Sequence, residues 1–102
     1  MLELRPNCEW CDVNLGPDAD DARICTYECT FCARCVDEFL HNVCPNCGGG
    51  FSARPIRPVT ARRDNTSLAH QPASTKRRHS SYSRQEVVDF VATVKTIDPR
   101  LR

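Results

Sequence analysis

The clearest periodicity in the chain lies near its C-terminal end, in SRQEVVDFVATVKTIDPRLR. Val87, Phe90, Val91, Val94 and Ile97 recur at helical spacing between polar residues, Ser83 and Glu86 form an S-x-x-E capping box, and Pro99 closes the run. The pattern predicts an amphipathic helix over 84–97, inside a segment spanning 83–98. A helix of about 14 residues is marginal alone in water, so its apolar stripe needs a covering surface. That surface is the rest of this chain, a second copy, or a partner's groove.

Before this segment the pattern disappears. Residues 59–82 hold few large apolar side chains and many Ser, Thr, Pro and Gln, which reads as a disordered basic linker. Nearer the N-terminus Trp10, Tyr27, Phe31, Phe39 and Phe51 are interleaved with cysteines, as a miniature core would require. The composition changes after Arg54-Pro55-Ile56-Arg57-Pro58, which sets the expected boundaries: a metal-binding domain over 1–58, the linker over 59–82 and the helix over 83–98.

Charge divides the chain in the same place. Residues 1–52 carry three Arg against nine Asp and Glu, a formal balance of −6, whereas residues 53–84 carry eight Lys and Arg against Asp64 alone, a balance of +7. The overall +1 conceals a dipolar chain. The run Lys76-Arg77-Arg78-His79-Ser80-Ser81 suits phosphates or an acidic surface, so residues 54–84 offer nucleic acid a place to bind. A solvated linker that folds back on the acidic domain is the plainer expectation. Sequence-specific nucleic-acid binding would put basic and aromatic residues on the metal domain itself, and that domain is acidic.

All 8 cysteines of the 102 residues lie between Cys8 and Cys47. The opening MLELRPNCEW lacks a basic stretch followed by an apolar run, and no later segment is apolar enough to span a bilayer, so a cytoplasmic protein without membrane contact is expected. In a reducing compartment, paired thiols point to metal rather than cystine. A core of about 50 residues also needs such a staple, because it buries too little apolar surface to offset its chain entropy.

The thiols fall into four pairs: Cys8/Cys11, Cys25/Cys29, Cys32/Cys35 and Cys44/Cys47. Zinc takes four thiolates at tetrahedral corners, and a two-residue spacer lets both sulfurs of one tight turn face the same ion, so eight ligands make two zinc sites. Pro45 inside the last pair and Gly48-Gly49-Gly50 after it suit such a turn. Consecutive pairs sharing an ion and alternating pairs sharing an ion both satisfy this count. A polynuclear cluster fits poorly with the interleaved aromatics.

The order CxxC, 13 residues, CxxxC, two residues, CxxC, eight residues, CPxC resembles a RING domain. Ile24 before the third ligand, Phe31 before the fifth, and Val36, Phe39 and Leu40 after the sixth extend the likeness. It implies a small metal-stabilised α+β fold, a treble-clef core with a hairpin after the first knuckle and Cys32 and Cys35 at a helix start. It also implies a cross-brace, in which Cys8, Cys11, Cys32 and Cys35 hold one ion and Cys25, Cys29, Cys44 and Cys47 the other. Cys29 stands where the eukaryotic pattern usually has histidine. More closely, MLELRPNCE through CPNCGG and RPIRP is similar to a family of small bacterial eight-cysteine proteins described as a domain of unknown function. That likeness covers residues 1–58, and the tail from 59 to 102 looks like an addition.

The functional expectation is a non-enzymatic interaction module that binds a protein. By resemblance, Trp10, Phe39 and Pro45 fall where RING domains contact a conjugating enzyme, but Gly48 replaces the basic residue frequent after the last pair in active ligases. Hydrolytic zinc chemistry needs an open coordination position and a base, which eight cysteines in two closed sites do not leave. His41, the only histidine of the domain, reads as a polar residue at a helix end. Cys44-Pro-Asn-Cys47-Gly resembles a rubredoxin knuckle, so iron-based electron transfer is the competing reading. It leaves the other pairs unexplained, and the CxxxCxxCxxC order differs from that of bacterial ferredoxins.

Overall fold

The computed structural model describes residues 1–102. Its elements are β1 (Ala22–Ile24), β2 (Thr30–Cys32), α1 (Ala33–Cys35) running on into a π-helical segment Val36–Leu40, β3 (Ser52–Ala53), α2 (Arg84–Val94) and a 3-10 turn Pro99–Leu101. The antiparallel sheet has the order β2-β1-β3. Arg23 faces Phe31 on one side and Ala53 on the other. Strands of two or three residues cannot hold themselves together, since isolated hairpins are marginal even at ordinary lengths. Their order must come from the cysteine-bearing turns that bracket them.

The core is correspondingly small and rich in sulfur. Phe31, Leu15, Leu40 and Val43 are fully buried, and they belong to the same cluster as Cys8, Cys32, Cys35 and Cys44. Phe51 meets Phe31 edge-on, with ring centres 5.5 Å apart. Arg54, counted from sequence with the basic linker, is instead buried, its guanidinium donating to the carbonyls of Arg5 and Gly16 at 2.8 and 2.7 Å. It pins the end of β3 to the chain on either side of the first cysteine pair.

α2 keeps the expected start. Ser83 Oγ accepts from the Glu86 N–H at 3.1 Å, and the Glu86 carboxylate accepts from the Ser83 N–H at 3.0 Å. The end differs from the expected 97: the helix stops at Val94, the Ile97 N–H turns back to the Val94 carbonyl, and Asp98 is extended. A residue before proline avoids the helical region, so Pro99 acts upstream as well as at its own position. Val87 and Val91 are buried in the cysteine-rich core, whereas Phe90 and Ile97 of the same stripe remain partly exposed. The surface that covers the helix is the chain's own N-terminal part.

In place of the expected disordered linker, residues 59–82 form an irregular strap without helix or strand, and its second half lies along the N-terminal part. The Ser74 N–H donates to the Leu4 carbonyl, the Ser80 N–H to the Glu9 carbonyl, and Arg78 exchanges backbone hydrogen bonds with the Asn7 amide. The physical reason is charge: Arg77 reaches Asp12 at 2.7 Å and Arg78 reaches Glu3 at 3.5 Å, joining the two oppositely charged halves. No helix is long and apolar enough to cross a membrane.

Candidate metal centres

Three of the four cysteine pairs sit on turns of one design. In the first, the Cys8 N–H donates to the Val13 carbonyl and the Asp12 N–H returns to the Cys8 carbonyl. In the last, the Cys44 N–H donates to the Gly49 carbonyl and the Gly48 N–H returns to the Cys44 carbonyl. Asp12 and Gly48, each just after the second cysteine, have φ of 67° and 79°. Such a left-handed residue folds the chain tightly enough to aim both sulfurs inward, and glycine or aspartate tolerates it best. The Cys25 turn is a tighter variant, with Glu28 N–H to the Cys25 carbonyl and the left-handed residue, Glu28 at φ 65°, just before the second cysteine. The remaining pair uses a helix start: Cys32 ends β2, and its sulfur accepts from the Cys35 N–H at 3.5 Å.

These turns bring the sulfurs into two groups. Cys8, Cys11, Cys32 and Cys35 have all four sulfurs within 4.8 Å of one another, as do Cys25, Cys44 and Cys47. A zinc ion with bonds of about 2.3 Å to four sulfurs sets them ~3.8 Å apart. The Cys11 and Cys32 sulfurs are 3.7 Å apart, so the first group fits such an ion. Cys29 does not join the second group's mutual spacing, although Cys44, Asn46 and Cys25 are near enough to hold its thiol below the usual range.

The electrostatics of the two groups are those of crowded buried thiols. Burial pushes Cys8 up and Cys25 up to about 11, and burial with the charge of Cys8 holds Cys35 well above the ordinary thiol range. The hydrogen bond shared with Cys29 raises Cys44, and the same bond lowers Cys29 to about 5. Burial also opposes ionisation of Cys11, but the Val13 N–H and the neighbouring sulfurs outweigh it and hold that thiol below its usual value. One thiolate per group is thus stabilised by protons on its neighbours. A divalent cation replaces those protons and favours the thiolate at every position.

Glu9 ties the two groups together. It is 6% exposed, accepts from the Thr30 N–H at 2.6 Å and from Arg5 at 2.9 Å, and returns its own N–H to the Thr30 carbonyl at 2.9 Å. Because Thr30 lies between Cys29 and Cys32, one residue of the first turn grips the point where the chain passes between the groups. Spacing alone does not reveal Glu9, which looks like one more surface acid of an acidic domain.

The residues proposed from sequence as partner contacts serve the tail. Trp10 stacks on Phe39 with ring centres 4.9 Å apart, and the Arg84 guanidinium lies 4.7 Å from the centre of the same ring. Pro45 is buried beside Val87 and Phe90 of α2, on the wall of a cleft of about 290 Å³. On the other side of Trp10, Asp12 accepts from Arg77 and His79, and the Arg77 guanidinium keeps its carboxyl below the usual range. His41 is exposed at the helix end with φ 49°.

The family model described as "Protein of unknown function (DUF1272)" matches residues 1–57, more than half of the chain, and the chain belongs to that family. A protein of Rhizobium meliloti (strain 1021) described as uncharacterized is 54% identical over 77 residues, which cover 76% of this chain and 84% of the relative. No solved structure matches. A match of 77 residues outruns residues 1–58, so part of the tail has a counterpart in that relative and is not an addition peculiar to this chain.

Proposed function

We propose that the chain is a non-enzymatic protein-interaction module folded around two structural zinc ions. Cys8, Cys11, Cys32 and Cys35 hold one ion; Cys25, Cys29, Cys44 and Cys47 hold the other, in a RING-like, treble-clef cross-brace. The observation that carries this reading is the first group: four sulfurs within 4.8 Å of one another, one pair at the edge length of a zinc tetrathiolate. The second site completes when the Cys29 sulfur, which stands outside the mutual spacing of Cys25, Cys44 and Cys47, moves into the fourth corner.

Four thiolates around each ion leave no open position for a substrate, which favours a structural role over hydrolysis. Apparent zinc-binding free energies of about 10–16 kcal/mol in small fingers exceed what a core of this size supplies. The interaction role draws on apolar side chains that packing leaves outside. Met1 and Ile56 are 88% and 57% exposed beside a cleft of about 280 Å³ floored by Leu2 and Pro55. Trp10, Phe39 and Pro45 are committed to α2, so a partner in solution meets the Met1–Ile56 face first.

Elemental analysis combined with circular dichroism tests this. The expected result is two zinc per colourless chain and loss of the cooperative fold on chelation. One iron with a thiolate charge-transfer band, or a fold that survives metal removal, overturns it.

A further inference from the structure

We propose that the first cysteine centre is an oxidation-responsive clasp for the tail, with Cys11 as the site where peroxide reacts; the proposal rests on the zinc reading above. Three features converge on that residue. Cys11 is exposed while Cys8, Cys32 and Cys35 are buried, so it is the point at which a small oxidant reaches this centre. It opens on a cleft of about 460 Å³ that Trp10, Phe39, Arg34, Arg84 and the buried Cys35 also line. Its sulfur lies 3.7 Å from that of Cys32, a resolving thiol within reach of a small movement.

A fourth feature is where the tail is attached. Trp10, immediately before Cys11, carries the Phe39 ring on which Arg84 rests, and Asp12, immediately after it, receives Arg77 and His79. Asn7 bonds the backbone of Arg78 in both directions, and the Glu9 carbonyl takes the Ser80 N–H. Except for Arg84, which rests on Phe39, these anchors stand on the single turn 7–12 that Cys8 and Cys11 draw toward the ion, and Trp10 of that turn backs the Phe39 ring. An event that frees Cys11 from the ion therefore acts on the strap directly and on Arg84 through Trp10.

The chemistry balances with peroxide as the oxidant. The Cys11 thiolate attacks one peroxide oxygen, the O–O bond breaks, and hydroxide leaves to give a sulfenic acid. The Cys32 thiolate then attacks the Cys11 sulfur, the S–S bond forms, and a second hydroxide leaves. Two thiolates and one peroxide become one disulfide and two hydroxides. The ion loses two of its four ligands and dissociates, the turn relaxes, and the strap with α2 comes away. A released tail presents Arg77, Arg78 and the Val87–Val91 face to solvent, and thiol reductant with zinc restores the clasp.

The test uses the zinc-loaded full chain and hydrogen peroxide, with rapid alkylation and peptide mapping, zinc release into a chromogenic chelator, and limited trypsin digestion. Expected are a Cys11–Cys32 disulfide as the first product, zinc release at the same rate, and cleavage after Arg77 and Arg78 accelerated at least about tenfold. Because Cys11→Ser removes a ligand and risks misfolding, Asp12→Asn serves as the second variant. It is expected to speed the same cleavage before any peroxide while leaving the rate of disulfide formation unchanged. A first disulfide within Cys25, Cys29, Cys44 and Cys47 overturns the clasp, as does a Cys11–Cys32 bond that leaves cleavage unaltered. A chain that binds no zinc contradicts the zinc reading itself, whereas a zinc-loaded chain inert at Cys11 contradicts the clasp alone.

Discussion

Arg84, the first residue of α2, sets its guanidinium 4.7 Å from the centre of the Phe39 ring. The contact joins the tail to the π-helical segment that follows Cys35. An exposed cation over an aromatic ring contributes about 0.5–1 kcal/mol. Arg84→Ala is accordingly expected to lower the protection of α2 amides by that amount in hydrogen exchange, with little change around β1 and β2.

Val87 is 1% exposed among the buried sulfurs, and Ser83 closes the capping box of the same helix. Val87→Ala removes two buried methyl groups and is expected to cost about 1–2 kcal/mol. Ser83→Ala is expected to cost about 1 kcal/mol through the lost cap. Both are read in the thermal transition of the zinc-loaded chain, and equal melting of the Val87→Ala variant and the parent contradicts the docking of α2.

Arg54 is 4% exposed and gives its donors to the Arg5 and Gly16 carbonyls. Burial lowers its pKa, so the charge is held there at a cost that the hydrogen bonds offset. Arg54→Met leaves those carbonyls unpaired, and a loss of about 2–3 kcal/mol is expected in denaturant unfolding. Arg54→Lys should rescue only in part, because an ammonium does not reproduce the planar fork that spans both partners.

Zinc loading is expected to release protons. Cys8, Cys25, Cys35 and Cys44 are all held above the ordinary thiol pKa in the metal-free chain, Cys25 at about 11, so each enters a zinc site only by losing its proton. The sign follows: lower pH favours the protonated thiols and weakens binding, and higher pH strengthens it. Titrating zinc at pH 7 in weak buffer should release at least four protons per chain, one from each of these cysteines, and release of fewer contradicts the thiol assignments.

How much of this was legible depends on how local each signal is. The start of α2 is written in four consecutive residues, Ser83 to Glu86, and the structure has both halves of the capping box. Its end moved from 97 to 94 because the influence of Pro99 reaches back through Asp98. The cysteine turns were legible from CxxC spacing, but the same spacing puts Cys29 at a fourth corner from which its sulfur stands apart. For residues 59–82 composition reports only a lack of apolar side chains, and it is the opposite charge of the two halves that signals the fold-back Arg77 makes onto Asp12. Arg54 and Glu9 were hidden for a related reason. A buried charge is recognised by its partners, and those partners, Gly16 and Thr30, are distant in sequence.

The most direct test of the central claim is the native mass of the full chain purified without added metal. The account predicts the 11.5 kDa polypeptide carrying two zinc ions, both lost together with the fold on chelation. A folded chain with no metal, or one carrying a single iron, contradicts it.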